Sequence, residues 1–310
     1  MWEISLSVLP IFLLLVLGNL LRRNGFPGGD FWHYADRFVY WVLFPALLFV
    51  NTTTAPFTNE LLGTYAIALP GALLITGLLS LLTVRLLKID PRVGGSIFQG
   101  ATRHNTFIAF AVAEYLFGAE GLLLATVATA VLVPPTNLYC VSVLVGYQGG
   151  GHGTSLKRRL VQELLRNPLL IAIALGAFLN LSGIGPLPVI STVAGLLSKA
   201  ALPFALLCIG AGLQMRAVHT GAGYVALSAV LKMVVFPLVI TGVVLITGLQ
   251  GTAAMILIIY GVIPTASSGY ALAKLLGADA DVMAGIITVQ TLISMITMPL
   301  CLTLAAYFFL

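Results

Sequence analysis

Residues 261–273 read GVIPTASSGYALA, in the middle of an apolar segment, 252–276, that is long enough to cross a membrane. The flanks are those of a spanning helix, but the centre is not. Pro264 removes a backbone N–H, and its ring crowds the carbonyl four residues back. Thr265, Ser267, Ser268 and Gly269 follow, residue types that cap or loosen helices better than they extend them. A helix interrupted inside a bilayer is tolerated only where it is buried in protein or lines a wet cavity. Such interruptions are the sequence mark of a transporter binding site. The same residues also suit a proline kink packed on a neighbour, and the stretch alone does not separate the two.

The rest of the chain sets the solvent. Of 310 residues, 59% are hydrophobic and 8% charged, with a mean hydropathy of +1.07. Soluble domains carry about 25% charged residues, so this chain is built for lipid. Ten apolar segments can be marked, at 4–22, 37–54, 62–87, 95–117, 121–146, 167–183, 190–213, 222–248, 252–276 and 282–309. Ten-residue alternating strands are absent, which excludes an outer-membrane barrel. Cys140, Cys208 and Cys301 all fall within spans, where apolar thiols and no disulfides are expected. The start, MWEISLSVLPIF, lacks a basic region and a cleavage site, and reads as a first helix and not a signal peptide.

Charge placement sets orientation. Arg22, Arg23, Arg37, Arg85, Lys88, Arg92, Lys157, Arg158, Arg159, Arg166, Arg216 and Lys274 fall in connections on one face, 12 of the 15 basic residues. The opposite loops carry only acids, such as Glu60 and Glu120. The basic face is therefore expected in the cytoplasm, with both termini outside a bacterial inner (plasma) membrane. The longest polar stretch is 149–166. The formal net charge of +5 comes from these loops and signals no nucleic-acid partner. Three cations remain, Arg103, Lys199 and Lys232, about ten residues into the fourth, seventh and eighth helices. Charges at that depth face a cavity or a partner. The only acid well inside a span is Glu114, toward the outer end of the fourth helix.

The chain repeats itself. The first helix, from Pro10, reads PIFLLLVLGNLLRRNGFPGG, and the sixth, from Pro168, PLLIAIALGAFLNLSGIGPLP. Thirty-five residues after each proline comes another, Pro45 and Pro203. Slipped by one residue, the register lays NTFIAFAVAEYLFGAE, from Asn105, over PTASSGYALAKLLGAD, from Pro264, with Thr106 on Thr265 and Gly118 on Gly277. Halves of five spans each, 1–150 and 151–310, must have opposite topology. The expected fold is an all-α membrane protein of ten transmembrane helices in two inverted five-helix repeats, a secondary-transporter architecture. The overlay also predicts that the fourth helix is interrupted at 103–106 (RHNT), so that the fourth and ninth helices are both broken and cross at the midplane. Helix N-termini pointing there favour an anion, and Arg103 and Lys232 stand at similar depth.

On these residues the chain resembles the auxin efflux carrier family, whose prokaryotic members include malate and malonate permeases. The pieces that carry the resemblance are NTFIAFAVAEYLFG, the Asn167-Pro168 pair, PFALLCIGAGL at 203–213, LKMVVFP from Leu231, IPTASSGYALAKLLGAD and TMPL at 297–300. It extends over essentially the whole chain. It implies a fold similar to the bile-acid sodium symporters, with helices 1, 2, 6 and 7 as scaffold. Helices 3–5 and 8–10 would form a moving unit with substrate beside the crossing. One departure stands out. Plant carriers have a proline seven residues after the Asn of the Asn-Thr pair, and this chain has Val112.

The expected function is a secondary transporter moving a small organic anion, a carboxylate or dicarboxylate, by alternating access. Its expected substrate-binding residues are Arg103, Asn105, Thr106, Pro264, Thr265, Ala266, Ser267, Ser268 and Lys232. Glu114, His104, Lys199, Pro45 and Pro203 are candidates for coupling or gating. Each has a structural alternative: Arg103 could serve the carbonyls freed at a break, Lys232 could pair with Asn105, and the prolines could simply bend helices. A sodium-coupled symporter is the second reading, with oxygens from Asn105, Thr106, Thr265, Ser267 and Ser268. The near absence of buried acids favours a proton over sodium as coupling ion. An intramembrane enzyme lacks HExxH, GxSxG and any clustering of the histidines at 33, 104, 152 and 219. A passive channel would not need two matched broken helices. No cofactor or metal is expected, and a homodimer through the scaffold helices is the assembly considered.

Overall fold

The computed structural model describes residues 2–55, 59–147 and 165–310. Most of the polar stretch at 149–166, with His152, Lys157, Arg158, Arg159 and the boundary expected at 150/151, lies outside the described residues. The described residues are helical or irregular, with no strand. In order they form α1 (Trp2–Arg23), α2 (Phe31–Phe38), a π-helical turn (Val39–Leu43), α3 (Phe44–Thr53), α4 (Asn59–Leu86), α5 (Pro91–Thr102) and α6 (Thr106–Tyr147). Then come α7 (Pro168–Leu181), α8 (Pro188–Gly212), a 3-10 turn (Met215–His219), α9 (Ala222–Val230), a second π-helical turn (Leu231–Val235) and α10 (Phe236–Thr247). The chain closes with α11 (Gly251–Val262), α12 (Ser268–Leu275) and α13 (Ala280–Phe309). Gly118 is non-helical (φ 58, ψ −142) and divides α6 in two. The division falls within the interval 117–121 where the hydropathy reading separated two helices.

Among the described residues, five helical stretches are long and apolar enough to cross a membrane: Gly63–Leu86, Pro91–Tyr147, Pro188–Gly212, Ala222–Thr247 and Ala280–Phe309. Pro168–Leu181 and Gly251–Val262 are shorter apolar helices. The polarity is that of a lipid-solvated chain. Ile67, Leu238, Ile246 and Tyr307 stand exposed, while Gln99, Asn105, Lys232 and Gln290 are buried. Both π-helical turns come just before a Phe-Pro pair. Proline has no N–H for the carbonyl four residues back, and its ring crowds that carbonyl. The ladder therefore slips by one, with the Phe44 N–H bonded to Val39 O and the Phe236 N–H to Leu231 O.

The helices fall into two sets by contact. α1 runs along α8, and α3 packs on α7 and α8. α4, α5 and α6 pack with α9 to α13, while α6 and α13 also touch α1. The first set is tied together twice in the same way. A side chain at Gly18 would collide with the Leu207 carbonyl, and one at Gly176 with Thr52 and the Phe49 carbonyl. Gly18 and Gly176 are 158 positions apart, and so are Phe49 and Leu207. Asparagines beside these contacts reach carbonyls at or just past helix ends, where the regular ladder runs out. Asn19 Nδ2 donates to Gly210 O at 3.1 Å, and Asn180 Nδ2 donates to Thr52 O at 3.1 Å and Ala55 O at 2.9 Å.

Candidate functional site

α5 stops at Thr102 and α6 starts at Thr106; α11 stops at Val262 and α12 starts at Ser268. The two interruptions meet. The Asn105 N–H donates to the Pro264 carbonyl at 2.8 Å, and Thr265 Oγ1 donates to the Gln99 carbonyl at 3.2 Å. Their causes differ. Ile263 is extended (φ −69, ψ 149), as a residue before proline should be, and Pro264 cannot continue the ladder of α11. Arg103 is also extended (φ −78, ψ 158), but no proline follows. There Asn105 starts a new helix, its Oδ1 accepting from the Ile108 N–H at 3.2 Å as an N-cap. The Val112 position lies six residues inside α6 and is fully buried.

Arg103 spans the two interruptions. Its Nη2 donates to Ser268 Oγ at 2.9 Å and its Nη1 to Asn137 Oδ1 at 3.4 Å, while its Nε is buried without a partner. Both acceptors are neutral. A guanidinium presents five donors in a fork whose geometry matches a carboxylate.

A cavity of about 1810 Å³ opens beside it. Its lining includes Arg103, His104, Asn105, Thr106, Ala266, Ser267 and Ser268 from the two interruptions, together with Trp32, Tyr40, Cys208 and Ile209. It is also lined by the loop residues Gly25 and Phe26, by Arg22, Arg37, Arg166 and Lys274, and by the two acids Asp30 and Asp36. Among the described residues, no three His, Cys, Asp or Glu side chains gather to hold a metal ion.

Of the remaining candidates, only His104 also lines the cavity. Pro264 and Thr265 are buried behind the wall. Lys232 is fully buried, does not line the cavity, and places its Nζ 4.2 Å from the Phe236 ring centroid with no hydrogen-bond acceptor. Its contact is cation–π. The His104 ring lies 5.0 Å from the same phenylalanine, and neither ring nitrogen has a hydrogen-bond partner. Lys199 and Glu114 are exposed away from the cavity. Pro45 follows a π-helical turn, and Pro203 is exposed within α8. Neither proline lines the cavity.

Three contributors escaped the sequence reading. Asn137 holds Arg103, Gln290 accepts from the Thr265 N–H at 3.0 Å, and the Tyr260 hydroxyl pairs with Thr129 and donates to Ala125 O at 2.8 Å. The available signal was polarity alone: a buried amide or hydroxyl in lipid must find partners.

An apolar exterior, interrupted helices meeting inside, and a large cavity lined by polar groups together define a membrane transporter. The family described as "Membrane transport protein" matches residues 153–302. An uncharacterised transporter from Methanothermobacter thermautotrophicus is 27% identical over 95% of this chain and 96% of its own length. An uncharacterised transporter from Methanocaldococcus jannaschii is 21% identical over 94% of this chain and 96% of its own. The chain is thus similar to this membrane transport family over its second half and to these transporters over nearly its whole length, and both are transporters and not enzymes.

Proposed function

We propose that the protein is a secondary carrier of small organic anions, carboxylates foremost, working by alternating access. The observation that carries this is Arg103. It stands where both interruptions meet, bonded only to neutral Ser268 and Asn137, at the wall of a cavity. The excess of cations over acids along the cavity concentrates anions there.

In this reading ten spans form two inverted repeats of five. Support comes from the paired contacts of Gly18 with Leu207 and Gly176 with Phe49. Further support comes from Gly118 (φ 58) and Gly277 (φ 66), which the overlay sets on each other. α1 to α3 with α7 and α8 are the scaffold, and the other helices move against it. The basic face is cytoplasmic, so the cavity, lined there by Arg22, Arg37, Arg166 and Lys274, is open inward. A proton is preferred to sodium as coupling ion, because Ser268 faces a guanidinium that would repel a metal cation.

Purified protein in liposomes is expected to accumulate radiolabelled malonate or malate under an imposed gradient. Arg103→Met should remove a charge-assisted interaction of about 1.5–3 kcal/mol, a ten- to hundredfold loss of affinity. Failure to move any carboxylate under any gradient would sink the proposal.

A further inference from the structure

Gln290 lies in the first half of α13, fully buried, and one side-chain amide serves three irregularities of the chain. Its Oε1 accepts from the Thr265 N–H at 3.0 Å, a donor left over where α11 has stopped. Its Nε2 donates to the Gly100 carbonyl at 3.1 Å, in the last turn of α5. The same nitrogen reaches the Ser228 carbonyl at 3.2 Å and hydroxyl at 3.3 Å, just ahead of the second π-helical turn. Gly100 is required for this approach, because a side chain there would strike Ser228 Oγ and Ile286. The amide accepts through its oxygen and offers two donors from its nitrogen, as this place requires. A carboxylate accepts alone, and a thioether offers neither with any strength.

The spacing gives this inner clasp a consequence at the cavity. Gly100 is three residues before Arg103, and Thr265 is three residues before Ser268. Gln290 joins the first members of these pairs; the guanidinium–hydroxyl bond joins the second. We infer that Gln290 is a positioning residue: it holds the two interruptions in register so that Arg103 and Ser268 meet at the cavity wall. It touches no substrate. The transport arm of the test rests on the carboxylate reading, whereas the exchange arm does not.

Two variants separate the possibilities, Gln290→Glu, which keeps the shape and loses the donors, and Gln290→Met, which loses both functions. In detergent, backbone hydrogen exchange over 99–106 and 262–268 should accelerate at least about tenfold in both, with α1 and α8 unchanged. Lowering the pH from about 7.5 to about 5 should restore protection in Gln290→Glu alone, because a protonated carboxyl regains a donor. Wild-type exchange in both segments overturns the inference, whether or not any carboxylate is transported. In liposomes, malonate KM should rise by about fivefold or more at a nearly unchanged maximal rate. A fall in maximal rate at unchanged KM would make Gln290 merely structural. If either variant fails to fold, the other decides through the exchange arm.

Discussion

The two interruptions meet face to face but are built from different chemistry. Between α11 and α12 the chain is stopped by what Pro264 lacks; between α5 and α6 it is restarted by what Asn105 supplies. Charge is just as unequal, since Arg103 serves one side and Ser268, as its acceptor, the other. Paired breaks therefore need no paired residues. They need carbonyls and N–H groups that find partners across the junction, as Asn105 with Pro264 and Thr265 with Gln99 and Gln290 do.

The sharpest way to break this comparison is to impose the plant pattern. Val112 sits fully buried within α6, whose ladder is intact there. Val112→Pro would delete a helical bond and crowd the preceding turn, at a cost of about 3 kcal/mol. We expect a large fall in melting temperature, read by thermal unfolding in detergent. A neutral outcome would mean that the break can migrate from Asn105 to position 112, and that the cap is not what places it.

Asn105→Ala comes next. Losing the N-cap bond to Ile108 should cost about 1 kcal/mol, and exchange in 103–108 should quicken. Pro264→Ala should cost less, because the bonds from Asn105, Gln99 and Gln290 to this stretch remain. The opposite order would show that proline, and not the surrounding bonds, maintains the second break.

How much of this was legible follows from what lipid enforces. Apolar runs stand out because the bilayer leaves no other solvent for them, so the helical segments were readable from hydropathy. The interruption near Arg103 was readable only through the overlay on Pro264, since Arg-His-Asn-Thr has no strong breaker of its own. Side-chain direction was not readable. Lys232 and Arg103 have similar depth in the sequence, yet one lies on the Phe236 ring and the other lines the cavity. Hydropathy counts residues along an axis and is blind to rotation about it, and the π-helical turn holding Lys232 changes that rotation further. Gln290 was missed for a related reason. A lone amide in an apolar helix forms no pattern, and its partners are carbonyls that only the fold exposes.

Ser268→Ala is the mildest change and tests which member of the clasp is the ligand. Ser268 is exposed at the start of α12, so the bond it accepts from Arg103 competes with water and contributes under about 1 kcal/mol. Removing the hydroxyl leaves the guanidinium in the cavity wall, still held by Asn137 at 3.4 Å. Malonate affinity in proteoliposomes should then change by less than about threefold, in either direction, because a freed donor offsets a looser side chain. A loss as deep as that expected of Arg103→Met would show that the hydroxyl, and not the cation, recognises the substrate. In that case neutral analogues should be carried as well as anions, and the difference in charge between the two breaks would have no part in selection.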